Sequence, residues 1–334
     1  MRLLITGATG ALGQALIRRL VSEPTLTRLV CYSRSESRQA DVQRALPDHP
    51  ALRWVLGDVR DRERLIQAMG GCEAVIHAAA LKRVDAMAYN PGELRKTNIE
   101  GSAHVIEAAL AAGVGRVLMI SSDKAVEPIN AYGKSKAAME EEAIASNSFA
   151  VPRGTRIAVT RWGNVLASTG SIVPLWRAAL ASGQRLRLTD PNMTRFWLTL
   201  EQAAAFALWA LGMLRGGEIF LPMLSAMRLG DLAEALAPGS PTEIIGLRPG
   251  GEKRHEVLMT REEGTRAVAI GASGDPGIIR EAPDGQGAWV INPSIHSWRA
   301  DAPWDGEPWP AEAVYRSDLV PRLSVEEMRA WLKG

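Results

Sequence analysis

Residues 7–13 read Gly-Ala-Thr-Gly-Ala-Leu-Gly, directly after the apolar run Leu3-Leu4-Ile5-Thr6, and this junction limits the possible folds more than any other feature. Three glycines spaced by three suit a strand that turns sharply into a helix. Gly7 makes the tight turn, Gly10 lets backbone approach a pyrophosphate, and Gly13 lets helix and strand pack closely. Thr9, Ala11 and Leu12 lie between them, so their main-chain N–H groups belong to the helix N-terminus, where a phosphate is favoured.

Such a turn needs a parallel sheet to sit on, and the rest of the first half supplies one. Short β-rich runs at 3–6, 29–32, 54–56, 74–77, 117–121 and 157–161 alternate with helical periods at 14–21, 62–69, 101–112 and 135–145. That alternation predicts βαβ units and an α/β fold, a Rossmann-type doubly wound parallel sheet. After Gly163 the pattern loosens into helices near 173–181, 200–214 and 229–236 and a short strand at 218–221. The expected organisation is a dinucleotide-binding domain over 1–165, a smaller C-terminal substrate lobe built from insertions over 166–275, and an irregular tail over 276–334. Five tryptophans, Trp289, Trp298, Trp304, Trp309 and Trp331, fall in that tail and read as packing anchors or subunit contacts, with one closing helix near 325–332.

Composition excludes several partners. Lys+Arg and Asp+Glu number 39 and 37, a formal charge of +2, so nothing draws the chain generally to nucleic acid or an anionic membrane. Any phosphate must be held locally. No run of roughly 18 apolar residues exists, and the start lacks a basic region leading into a long apolar one, so a cytoplasmic protein is expected. Cys31 and Cys72 read as reduced core thiols, His77 as a core residue and His255 as a surface one; no ligand set for a metal is present.

Cofactor choice is made at the end of the second strand. An NAD enzyme commonly places an acid there, about twenty residues beyond Gly13, to accept from the ribose 2′-hydroxyl. This chain has Ser33-Arg34 with Arg38 following, donors that suit a 2′-phosphate and predict NADP. The alternative is a solvated Arg34, with Glu36 taking the hydroxyl. Asp58 and Val59, ending the third strand, suit an adenine contact, and the small Ala78 and Ala79 after the fourth let backbone lie along the cofactor.

The chemistry-bearing residues follow the fifth strand: Ser122-Asp123-Lys124, then Tyr132 and Lys136. Residues i and i+4 of a helix share a face, which predicts the Lys136 ammonium beside the Tyr132 phenol, lowering its pKa for general-base work. In this setting Tyr-x-x-x-Lys resembles the short-chain dehydrogenase/reductase superfamily, in its extended nucleotide-sugar branch. Ser122 can bond a reacting oxygen. Asp123 and Lys124 add an acid and a base, which a dehydration needs to remove a proton alpha to a ketone and to protonate a departing hydroxyl.

Further motifs narrow the resemblance. They are His77 through Lys82 (His-Ala-Ala-Ala-Leu-Lys), Thr97-Asn98, Ser122-Asp-Lys-Ala, Asn130-Ala-Tyr-Gly, Arg161-Trp-Gly-Asn-Val, Gly170-Ser-Ile-Val-Pro, Met193-Thr-Arg-Phe-Trp and Arg248-Pro-Gly. Over about residues 1–265 the chain resembles the inverting UDP-N-acetylglucosamine 4,6-dehydratases, which make sugars for flagellin glycosylation and surface polysaccharide.

The resemblance implies a homo-oligomeric, NADP-dependent hydro-lyase acting on UDP-GlcNAc. Tyr132 and Lys136 serve oxidation at carbon 4, Lys124 takes the carbon 5 proton, and Asp123 helps the carbon 6 hydroxyl leave. It further implies that Lys82 and Asn164 contact cofactor or substrate, and that Thr189, Arg195, Arg248 and Glu252 contact the UDP end. Two phosphates need bidentate donors, which favours the arginines, although Arg195 could instead stack on the adjoining Phe196-Trp197. The family's usual Arg-Pro-Gly-Glu-Lys carries an extra Gly251 here, displacing Glu252 and Lys253 by one place. The alternatives are a retaining dehydratase or dehydratase/epimerase, and a nucleotide-binding sensor that does not turn over.

Overall fold

A computed structural model describes the chain except residues 47, 88, 167, 169, 248–250, 273–285, 295–297, 299–302 and 334. Its strands β1 (Arg2–Thr6), β2 (Arg28–Ser33), β3 (Leu52–Leu56), β4 (Ala74–His77), β5 (Arg116–Ile120) and β6 (Arg156–Thr160) pair in parallel in the order β3-β2-β1-β4-β5-β6. Strands read as continuous apolar runs because both faces are covered. Along β1, Leu3 and Ile5 face a core formed with Leu16, Ile17 and Leu20 of helix α1 (Ala11–Leu20) and with Phe206 and Trp209. Leu4, between them, faces the opposite core with Leu65, Met69, Val105, Met139 and Ala143.

The chain leaves β1 toward β2 and β3 and returns on its other side as β4. This switch point lies at the carboxyl ends of β1 and β4, where ligands of open α/β sheets bind.

The sheet does not stop at β6. Ile219–Pro222 adds a further parallel strand, and Gln286–Ile291, Ala267–Ala272 and Glu307–Pro308 extend it antiparallel. Residues 276–334 were expected to form an irregular tail; instead they contribute part of the central sheet. The pairing of 219–222 with 286–291 spans nearly seventy residues, so no local pattern reports it. Ala288 and Val290 enter one core while Ile291 and Trp289 reach the other. Trp304 is buried with Arg215 stacked on its ring at 3.5 Å, and Trp289 meets Trp309 edge-on at 4.7 Å.

A third core, with Val173, Trp176, Leu186, Trp197, Met227, Leu232 and Met328, unites helices Ile172–Ala181, Leu229–Leu236 and Val325–Lys333. The segment Thr194–Leu198 is the middle strand of a small sheet with Ala226–Arg228 and Asn164–Val165. That sheet carries Arg195 and Asn164. Among the described residues no helix is long and apolar enough to cross a membrane.

Candidate active site

The glycine turn is built as its spacing predicts. Gly7 has φ +70°, and a Cβ there would meet Ala79 N at 2.8 Å and Ala78 C at 2.9 Å, so the turn lies against the backbone that ends β4. A Cβ on Gly13 would meet Gly7 O at 2.5 Å and Ala8 O at 2.6 Å, which seats the first turn of α1 on the loop. Gly10 caps α1 without a side-chain hydrogen bond, and no acid lies in the first turn. Thr9, Ala11 and Leu12 complete a helix N-terminus suited to a pyrophosphate. These residues fit a dinucleotide.

Its floor is fixed by a buried relay. Ala79 N donates to Thr6 Oγ1, which lies 2.8 Å from His77 Nδ1; His77 Nε2 lies 3.0 Å from Ser102 Oγ, which donates to Asn98 O. Because Ser102 spends its proton on a carbonyl, His77 carries its proton on Nε2 and accepts from Thr6 at Nδ1. Burial, with Lys136 adding to it, pulls the imidazole down to about 3, so it is neutral. Asn98 then pairs with both N and O of Leu81 and donates to Ser135 Oγ, joining the loop after β4 to the helix Ala131–Ala145. Lys82, next to Leu81, is exposed.

At the end of β2, Ser33 Oγ accepts from Gln39 at 3.0 Å. Arg34 is exposed, with its guanidinium 3.9 Å from Asp58, and Arg38 is exposed in the first turn of helix α2 (Glu36–Ala45). Asp58 is bound by Arg60 at 2.8 Å; burial pushes its carboxyl up, and bonds from Arg60 outweigh this and hold it below the usual range. Val59 is buried against Gly101.

The acid–base cluster forms where β5 ends. Ser122 Oγ donates to Asp123 Oδ1 at 2.8 Å, and Lys124 Nζ lies 2.8 Å from the same oxygen. Lys124 also donates to Asn164 Oδ1 at 2.9 Å and lies 3.3 Å from Glu256 Oε1. Asp123 is fully buried, and its Oδ2 has no hydrogen-bond partner among the described residues. Burial pushes its carboxyl up; Lys124 opposes this and Glu256 adds to it. For Lys124, burial favours the free amine, but Asp123 and Glu256 outweigh it and raise the ammonium above its usual range.

Tyr132 belongs to this cluster, but not through Lys136. Burial pushes the phenol up to about 12, Lys124 and a hydrogen bond with Ser122 pull it down, and Asp123 pushes it up. Lys136 is buried with Nζ donating to Ile120 O at 2.8 Å, and burial pulls its ammonium down to about 8 against Glu140. The shared helical face is present, yet the cation acting on the phenol is Lys124, because the Lys136 stem turns toward the sheet. Gly133 makes this packing possible: a Cβ there would meet Lys124 O at 2.2 Å.

The residues expected at the UDP end are differently employed. Arg195 is buried and donates to Thr194 O at 2.7 Å, Arg254 O at 3.2 Å and Glu252 Oε1 at 2.7 Å, with Nε 3.7 Å from Glu256. A guanidinium so enclosed is a structural counter-charge and presents no open fork to a diphosphate, nor does it stack on its aromatic neighbours as its main contact. Thr189 is buried and donates to Met193 Sδ at 3.2 Å. Arg248 lies outside the described residues. Glu252 reaches Arg195 in spite of the extra Gly251, whose φ of +85° turns the chain there.

Two residues of the cluster, Lys253 and Glu256, had no role assigned from the sequence. Lys253 Nζ donates to Asp123 O and Val126 O, which clamps the turn carrying Asp123. Their sequence signals are the Glu-Lys end of the displaced motif and the charged run Glu252-Lys253-Arg254-His255-Glu256, of which Glu256 is buried.

The chain is similar to known proteins in sequence and in fold. A family model described as polysaccharide biosynthesis protein matches residues 3–273. A Campylobacter jejuni protein named UDP-N-acetylglucosamine 4,6-dehydratase (inverting) is 42% identical over 262 residues, covering 78% of each chain. The chain belongs to the inverting UDP-N-acetylglucosamine 4,6-dehydratase family. Relatives under another name are also near: a Rickettsia typhi protein named UDP-glucose 4-epimerase is 40% identical over 276 residues, 80% of each chain. Among solved structures, Pen from Bacillus thuringiensis superposes with a TM-score of 0.85 at 32% identity, covering 99% of this chain and 97% of that one. DesIV, a dTDP-glucose 4,6-dehydratase from Streptomyces venezuelae solved with NAD, matches with a TM-score of 0.67 at 25% identity over 75% of this chain and 86% of that one. The family and fold are those of extended short-chain dehydrogenase/reductase enzymes that act on nucleotide sugars with a nicotinamide cofactor.

Proposed function

We propose that the protein is an NADP-dependent UDP-N-acetylglucosamine 4,6-dehydratase that inverts carbon 5. The observation that carries this reading is the pair of buried Asp123 and partly buried Lys124 beside Ser122 and Tyr132, at the carboxyl ends of the parallel strands where the glycine turn also lies. A nicotinamide held here would supply the hydride acceptor for carbon 4 and the hydride donor for carbon 6. Gly7 through Gly13, Ala78 and Ala79 would hold the dinucleotide, and Arg34, Arg38 and Ser33 the 2′-phosphate that distinguishes NADP. Lys82 lies on the loop that Asn98 braces and would reach cofactor or sugar.

In this reading Tyr132 takes the proton from the carbon 4 hydroxyl, with Ser122 bonding the same oxygen. The resulting ketone acidifies the carbon 5 proton, so oxidation precedes elimination. Lys124 then removes that proton and Asp123 protonates the departing carbon 6 hydroxyl; as hydride is added back at carbon 6, a proton delivered to carbon 5 from the opposite face completes the reduction and inverts that centre.

The resting pair has its proton on Lys124, the wrong place for a base, but transfer across 2.8 Å to Asp123 produces a free amine and a neutral acid at once. Burial of Asp123 and its unpartnered Oδ2 favour that form.

The epimerase names among the relatives support a second reading, oxidation and re-reduction at carbon 4 without water loss. An NMR time course with UDP-N-acetylglucosamine in heavy water separates the two. The first reading expects a 4-keto-6-deoxy product with deuterium and inverted configuration at carbon 5, and with Lys124→Ala no water loss at unchanged nucleotide affinity. A product that keeps its carbon 6 hydroxyl would establish the epimerase reading. We further infer a cytoplasmic homo-oligomer, which sedimentation of the purified protein would test.

A further inference from the structure

Glu256 enters the site from a part of the chain the reaction scheme does not use. Its backbone is pinned by Ser317 from both sides, with Glu256 N donating to Ser317 Oγ at 2.9 Å and Ser317 N to Glu256 O at 2.9 Å. Residues 257–259 and 315–316 pair as strands just beyond. The C-terminal segment therefore anchors a carboxylate that is 2% exposed.

Three acceptors surround the Lys124 ammonium: Asp123 Oδ1 at 2.8 Å, Asn164 Oδ1 at 2.9 Å and Glu256 Oε1 at 3.3 Å. The Asn164 contact is a hydrogen bond and the two carboxylates are ion-pair partners, with Glu256 nearer to Lys124 than to Arg195 or Lys253. The other cations near Glu256 are engaged elsewhere. Arg195 donates to Glu252, Thr194 O and Arg254 O, and Lys253 to two carbonyls, leaving separations of 3.7 Å and 3.6 Å from Glu256 that are ion pairs rather than hydrogen bonds.

We propose that Glu256 is a positioning residue that aims the Lys124 amine and keeps the proton shared by Lys124 and Asp123 in place. This deepens the dehydratase reading and rests on it. When the proton moves from Lys124 Nζ to Asp123 Oδ1, the amine becomes neutral and Asp123 a neutral acid; charge and atoms balance with no further reactant. The neutral amine keeps its hydrogen bond to Asn164 and its neighbour Glu256, and these two partners set the direction of its lone pair. The negative charge of Glu256 favours the protonated form of both neighbours, which delays loss of the shared proton as pH rises.

The charged groups facing the pair are Arg195 from the strand Thr194–Leu198 and Glu252, Lys253 and Glu256 from the segment before Val257; Tyr132 from the helix Ala131–Ala145 is titratable but neutral, and Ser122 and Asn164 are neutral. The three acids Asp123, Glu252 and Glu256 balance Lys124, Lys253 and Arg195. Neutralising Glu256 alone leaves an excess cation against Lys124.

The test is lysine NMR with carbon-13 at Cε on the full-length protein, using Lys124→Ala to identify the Lys124 signal. In Glu256→Gln, Lys124 is expected to titrate at least about one pH unit lower than in the wild type, with the alkaline limb of kcat/KM for water loss moving down with it. An unchanged Lys124 titration overturns the proposal, whatever the activity. Glu256→Asp keeps the charge but withdraws it, so Lys124 should titrate near its wild-type value while kcat falls about tenfold or more at unchanged KM; a wild-type kcat overturns the aiming role, and so covers the case in which the glutamine variant does not fold. Wild-type protein that never dehydrates UDP-N-acetylglucosamine refutes the substrate reading instead, and the titration still decides the role of Glu256.

Discussion

Adding one methyl group at Gly13 tests the dinucleotide turn directly. In Gly13→Ala the new Cβ meets three backbone atoms at 2.5, 2.6 and 2.7 Å, whereas ordinary contact starts at 3.4 Å. None of the three can rotate away as a side-chain tip would. The first turn of α1 must move about 0.9 Å from the loop, carrying its N–H groups with it. Over-packing of this kind costs about 1–3 kcal/mol. At roughly 2–4 °C per kcal/mol for a chain of this size class, the apo protein should melt about 2–12 °C lower.

The larger effect is on binding, because a phosphate bonded to displaced N–H groups loses bonds that work only near 2.9 Å. Nucleotide affinity should fall at least tenfold. Gly212 is the control: it is an exposed helix residue with nothing within 4 Å of its Cβ position, so Gly212→Ala should stabilise by about 0.5–1 kcal/mol and leave binding alone. Scanning calorimetry with and without nucleotide reads both quantities. A Gly13→Ala protein with wild-type melting and a wild-type nucleotide-induced shift would refute the argument that this glycine is required by close approach.

Three other outcomes follow from named contacts. Arg34→Ala should weaken NADP much more than NAD in equilibrium titrations, and equal losses would remove the reason for choosing NADP. His77 has its pKa depressed from 6.5 to about 3, so it contributes stability that is complete above pH 6.5 and is lost as pH falls toward 3; at pH 5 the loss is about 2 kcal/mol. Urea unfolding midpoints that do not drop between pH 7 and pH 5 would contradict this. Arg161 is buried between Glu140 and Glu263, with bonds of 2.6 and 2.7 Å from Nη2, so Arg161→Met leaves two carboxylates uncompensated and should cost about 3–5 kcal/mol in denaturant titration. A loss under 1 kcal/mol would mean that the pair is screened by water.

The residues that were legible in sequence share a property: their chemistry depends on near neighbours. Gly7, Gly10 and Gly13 act within one turn, and Ser122-Asp123-Lys124 lie on one short loop whose members bond each other. Helical spacing correctly placed Tyr132 and Lys136 on one face, but it could not say where a flexible lysine stem ends. Lys136 ends at Ile120 O because the buried end of β5 offers an otherwise attractive acceptor.

Arg195 shows the converse error. The resemblance and the need for bidentate phosphate donors point Arg195 toward the UDP end, and only the folded chain reveals that Glu252 and Glu256 already lie against it.

Sequence alone therefore determined the positions of the first six strands, the glycine turn and the composition of the acid–base loop, because each is set by local periodicity or by contacts a few residues apart. Tertiary structure decided that the last sixty residues supply two strands to the sheet and an anchor for Glu256, and that the cation beside Tyr132 is Lys124. Those outcomes depend on contacts between chain segments from about sixty to more than one hundred and thirty residues apart, and in a buried site it is the full set of neighbouring charges that settles where a proton resides.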